Sequence, residues 1–127
     1  MAANEPVVEA SDIGVPDFSS ISAREKSELA SVVFLVDFQQ ADDGKYIAII
    51  SDILKIEENT NFTHELGDEY QRASYFARDT ATHSDGAVVM LVGKEAKLKA
   101  ITNHRAGRIG AFGNITIEEF KELEVFQ

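Results

Sequence analysis

The chain has 127 residues, 44% of them apolar and 27% charged, and contains no cysteine. That length suits one domain with a real core rather than two, the composition excludes disorder throughout, and the missing cysteine removes disulfides, thiolate metal sites and cysteine nucleophiles together. A net charge of −10 disfavours nucleic acid and anionic membranes as partners and favours a basic surface.

Residues 1–21 read as an extended acidic arm. They hold both prolines, Pro6 and Pro16, and the acids Glu5, Glu9, Asp12 and Asp17, with no lysine or arginine. Their larger apolar residues, among them Val7, Val8, Ile13 and Phe18, keep no sustained period, so the arm is expected to order on a partner through them rather than to pack by itself. The N-terminus is acidic and lacks the apolar segment of a secretory signal. The longest apolar run, Val32 to Val36, is far too short to cross a membrane. The expected location is the cytoplasm, or a particle assembled inside a cell.

Residues 22–127 carry the pattern of a single α+β domain. Ser22 and Glu25 have capping-box spacing, in which each side chain satisfies a free backbone N–H at a helix start, and a helix follows over about 23–30. Val32, Phe34, Val36 and Phe38 then alternate with Val33, Leu35, Asp37 and Gln39, the period of a strand. The turn Ala41-Asp42-Asp43-Gly44 returns the chain into a second strand, Tyr46 to Ile56, antiparallel because the connection is so short. Tyr70, Ala73, Phe76, Ala77 and Thr80 recur at helical spacing and predict a helix over about 63–82. Ala87 to Val92 and Lys97 to Asn103 read as a third and fourth strand. Arg108 to Ile115 reads as a fifth, weakened by Gly110 and Gly113. Thr116 and Glu119 form another capping box and open a C-terminal helix with Ile117, Phe120 and Leu123 on one side.

These elements give a mainly antiparallel sheet of four to five strands flanked by two or three helices, in the order α-β-β-α-β-β-β-α. In element order, over about residues 22–126, this resembles the profilin-like arrangement of roadblock and longin modules, a five-stranded antiparallel sheet flanked by helices. Such modules typically lack catalysis and pair with themselves or with other proteins, and the resemblance implies the same expectation here.

Charge is segregated along the chain. Between residues 94 and 108 lie Lys94, Lys97, Lys99, Arg105 and Arg108 against one acid, Glu95. Read as a basic strand stripe, these residues are the candidate docking surface for an acidic partner. His104, Arg105 and Arg108 beside Gly107, Gly110 and Gly113 also form a candidate site for a phosphate-containing ligand. Against it, the glycines are three apart and no Gly-Lys-Ser/Thr follows, so a bent strand explains them more simply than a phosphate loop. The lysines also suit an edge strand guarded against unwanted pairing.

His64 and Asp68 would share one helical face, but two ligands do not make a stable metal site and the His-Glu-x-x-His pattern is absent, so no metal is assigned. No catalytic residue is assigned: there is no Gly-x-Ser-x-Gly elbow, and His83, Ser84 and Asp85 are neighbours in sequence rather than a triad built in space. Asp37 and Asp52, on adjacent strands, could form a carboxylate pair, though solvated strand ends account for both.

The sequence therefore leads to a non-enzymatic interaction or assembly module without a cofactor. Such a module would be a subunit of a larger or viral assembly, binding another protein or itself. Two other readings stand beside it: an acidic inhibitor that mimics nucleic acid, and a small enzyme or binding protein for a phosphate-containing ligand.

Overall fold

A computed structural model describes residues 21–71 and 85–127. Helix α1 (Ala23–Leu29) leads into strand β1 (Val32–Gln40), which pairs antiparallel with β2 (Tyr46–Ile56). Strands β3 (Gly86–Val92) and β4 (Lys97–His104) form a second hairpin, and β3 lies antiparallel beside β1. The sheet order is β2-β1-β3-β4. The class is α+β, with a four-stranded antiparallel sheet.

Alternation along the strands divides the core into two layers. Val32, Phe34 and Val36 face one side with Ala48, Ile50, Ala87, Val89 and Leu91, and Tyr70 closes over them. Val33, Leu35, Val88 and Met90 face the other side, where Ala30, Ile109 and Phe120 cover them. Both faces are thus covered, which explains the near-continuous apolar runs of β1 and β3. Phe34 and Phe120 are fully buried, one in each layer.

Both capping boxes close as expected. Ser22 Oγ accepts from the Glu25 N–H at 3.1 Å while Glu25 accepts from the Ser22 N–H at 3.3 Å, and Thr116 and Glu119 reciprocate at 3.0 and 2.8 Å. They start α1 and the short helix α2 (Ile117–Lys121).

Two expectations need correction. The fifth strand over residues 108–115 does not form. It divides into β5 (Arg108–Ile109), a single 3-10 turn (Gly110–Phe112) and β6 (Ile115–Thr116), and β5 and β6 pair with each other as a small second sheet. Gly113 at φ 81° and Asn114 at φ 62° reverse the chain between them. The helix expected over 63–82 is absent from residues 63–71, and the remainder lies outside the described residues. Gly67 instead turns at φ 90°, and residues 67–70 run along the outer edge of β2. There the Ile50 N–H donates to Asp68 O at 2.9 Å, and the Tyr70 N–H donates to Ala48 O at 2.8 Å. Backbone pairing with an open strand edge satisfies these groups as well as a helix would. The arm residues Val7, Val8, Ile13 and Phe18 lie outside the described residues.

Candidate functional site

The basic residues follow β4 from one end to the other. Lys94 stands in the turn before the strand, Lys97 opens it, and Arg105 and Arg108 lie just past its end; all four are exposed. Lys97 and Lys99 do not share a face through simple alternation. The β3–β4 register pairs Leu91 with Leu98 and Met90 with Ala100, so Lys99 is the extra residue of a β-bulge. A bulge bends and twists an edge strand away from further pairing. Among the described residues β4 pairs only with β3.

Beyond β4 the chain turns back within two residues. The Arg105 N–H donates to Arg108 O at 2.9 Å, and the Arg108 N–H donates to Arg105 O at 3.0 Å. Between them Ala106 has φ 53° and Gly107 φ 77°. Positive φ at both central residues marks a type I′ hairpin turn, whose twist matches that of the strands. Residues that exchange both backbone bonds lie directly opposite, with their side chains on the same face. Arg105 and Arg108 therefore project together. Arg108 also donates from Nη1 to Asn114 O at 2.9 Å, which anchors one guanidinium over the next loop. Asp85 ties down the tip, its Oδ2 accepting from the Ala106 N–H at 2.7 Å.

His104 does not join them. It pairs across the sheet with Gly86, two residues from the buried Val88, and so faces the second layer. One residue further on, Arg105 points to the other side. Arg108 likewise precedes the buried Ile109. The three members of the candidate phosphate site are thus divided between opposite faces: two guanidiniums outward, one imidazole inward.

The inward histidine is unusual in its own right. Its residue is only 5% exposed, and neither ring nitrogen makes a hydrogen bond of regular geometry. A β-carbon on Gly86 would lie 2.6 Å from His104 Nε2 and collide with Val36 O, so only glycine leaves room for the ring. Burial holds the imidazole pKa below its ordinary value, with Asp37, Asp85 and the Val36 carbonyl pulling weakly the other way. This burial has no local signal in the chain, because it depends on a glycine across the sheet.

The other candidate groups resolve differently. His64 Nδ1 and Asp68 Oδ2 lie 3.9 Å apart, brought together by the Gly67 turn rather than by a helix. Asp68 Oδ2 also accepts from the Glu65 N–H at 2.8 Å, as a loop cap. Among the described residues no three histidine or acidic side chains are placed to hold a metal. The rings of Phe62, His64 and Tyr70 pack edge to face beside a shallow cleft of about 170 Å³ that Asn61, Thr63, Leu91 and Ala96 complete. Asp52 is taken up by Lys121 Nζ at 2.7 Å rather than by Asp37. No helix among the described residues is long and apolar enough to cross a membrane.

No family model matches the chain, and neither a curated protein nor a solved structure matches it.

Proposed function

We propose that this chain is a non-enzymatic protein–protein interaction module that assembles by gripping an acidic segment with the basic ribbon along β4. The occupant is the acidic arm, residues 1–21, of a neighbouring copy. One observation carries the reading: the type I′ turn sets Arg105 and Arg108 on the same face, turned away from the core and at the end of a strand that Lys97 opens and Lys94 precedes. Paired guanidiniums offer forked donors that match carboxylates. The arm supplies four carboxylates and no base, so one sequence holds both halves of a complementary pair. Head-to-tail contacts of that kind build rings or open arrays, the setting of a larger or viral assembly. The bulge at Lys99 favours a grip through side chains over the addition of another strand.

A charge exchange in the full chain tests the reading. Wild-type protein is expected to gain mass in solution at low salt and to lose it at high salt. Arg105→Glu with Arg108→Glu, or Glu9→Lys with Asp12→Lys, is expected to leave the monomer. Mixing the two variants is expected to restore association. Equal mass for wild type and both variants at every salt concentration would overturn the proposal.

A further inference from the structure

The strongest unexplained group is the imidazole at the end of the β3–β4 ladder, and it bears on a different property from docking. Across the sheet, Asp37 of β1, Gly86 of β3 and His104 of β4 lie directly opposite one another on one rung. The glycine leaves a gap in that rung, and the His104 ring fills it, almost wholly removed from water and with no hydrogen-bond partner on either nitrogen. The backbone at the same place closes the hairpin: the Asp85 N–H donates to His104 O at 2.9 Å, and Asp85 Oδ2 receives the Ala106 N–H.

We propose that His104 is a pH-sensitive latch: neutral, it seals the rung over Gly86, and protonated, it leaves that seat and loosens the Arg105–Arg108 hairpin. A neutral imidazole already leaves polar atoms unsatisfied there. An imidazolium would bury a full charge with two N–H donors and only the Val36 carbonyl, outside regular hydrogen-bond geometry, near enough to favour it, a far larger cost. The charged groups facing it among the described residues are few. Asp37 approaches from β1 and Asp85 from the segment before β3, and both favour the proton. From β5 and the 3-10 turn come only the buried Ile109 and the half-buried Phe112, with no charge, while Arg105 and Arg108 are turned away. Desolvation outweighs the two carboxylates, so the folded protein holds the proton less tightly than the unfolded chain.

The sign follows from linkage. A histidine whose folded pKa is lowered contributes no loss above the ordinary value of 6.5. Stability then falls as pH drops below that value, until the folded form is protonated as well. Ring exit toward Asp37 and Asp85 is the local route by which the latch opens before the whole domain does.

Two measurements on the full chain test this. By NMR, the His104 ring is expected to titrate below 6.5, and the exchange of the Asp85 and Ala106 amides is expected to rise at least tenfold, beyond intrinsic chemistry, between pH 7 and pH 5. The second is the pH dependence of unfolding in His104→Phe, which keeps a ring over Gly86 but cannot titrate. Its stability is expected to be flatter between pH 7 and 5 than that of wild type. Titration of His104 at or above 6.5, or unchanged exchange at both amides, would overturn the proposal even if His104→Phe failed to fold. An unchanged slope in a folded His104→Phe would overturn it too. None of these readouts depends on self-association.

Discussion

At the β2 flank of the sheet, polar side chains tie strand to helix. Lys55 Nζ donates to the Ser27 and Glu28 carbonyls at 2.9 and 3.1 Å, groups left over at the last turn of α1, and pairs with Glu57 at 3.2 Å. Asp52 meets Lys121 of α2, and the backbone of residues 67–70 closes the outer edge. The β4 flank is finished by other means. A bulge sits at Lys99, alanines take left-handed conformations in the turns at both ends, Ala96 and Ala106 at φ 53°, and a histidine is buried without partners. One flank gains its order from satisfied bonds. The other carries strain and unmet hydrogen-bonding capacity, and strain of that kind gathers where surfaces bind or switch.

The largest expected effect lies where the β4 flank has no slack. Gly86→Ala sets a methyl group against the Val36 carbonyl and the His104 ring. Backbone cannot yield as a flexible side chain can, so a loss of about 3 kcal/mol is expected, the upper range for overpacking. The urea midpoint should fall at constant slope. A loss under about 1 kcal/mol would mean that the ring moves aside freely, and that this flank is less tightly fitted than the geometry indicates. On the β2 flank, Lys55→Met keeps the aliphatic stem and removes only the donors. It leaves the part-buried Ser27 carbonyl without its donor, beside a side chain that is 15% exposed, with an expected cost of about 1 to 2 kcal/mol. Fraying of α1, read by amide exchange over residues 26–30, should accompany it.

These differences also mark how far the sequence could be read. The helix starts were legible because a capping box is local: Ser22 to Glu25 and Thr116 to Glu119 each contain all the atoms involved. Of the main strands, β1 was legible from its alternation and β3 as a short, compact apolar run. Register was not. Leu54 and Ser51 on β2 are skipped in the pairing with β1, just as Lys99 is skipped on β4, and which residue bulges is settled by the partner strand. The hairpin that aligns Arg105 with Arg108 was hidden because Ala-Gly lacks the asparagine or aspartate that usually announces a type I′ turn. The basic residues were visible as a cluster. The common face of Arg105 and Arg108 depends on the turn between them, and the turning of His104 into the core depends on Gly86 opposite.

That same alanine gives a prediction of opposite sign. Ala106 holds φ 53°, where a β-carbon crowds the following carbonyl at a cost of about 1 to 2 kcal/mol. Ala106→Gly removes that crowding but adds freedom to the unfolded chain, leaving a net gain of about 0.5 kcal/mol. Thermal unfolding should show a rise of a few degrees. If Arg105 and Arg108 serve docking, self-association at low salt should stay as it is, because the turn geometry is unchanged. A loss of stability would show that the alanine methyl makes a favourable contact, and the picture of a strained flank would need revision.

An effect no larger than that falls on the flank whose polar groups are bonded. Lys121 and Asp52 approach to 2.7 Å, but their side chains are 36% and 34% exposed, and water screens such pairs. Lys121→Met is therefore expected to cost only about 0.5 kcal/mol, and less at high salt. The hydrogen bond to Asp52 raises the Lys121 pKa above 10.5. A raised folded pKa contributes stability that is fully present below the ordinary lysine value and is lost as pH rises through the folded one. The gap between wild type and Lys121→Met should therefore be the same at pH 7 and pH 9 and close only in strong alkali, as followed by urea unfolding. Across the sheet, His104 is expected to give the reverse profile, with stability falling toward acid. A Lys121→Met gap that widened between pH 7 and 9 would mean a folded pKa below the ordinary one, and would place the pair in a more desolvated setting than its exposure indicates. The two flanks would then differ less in burial than in whether their buried groups have partners.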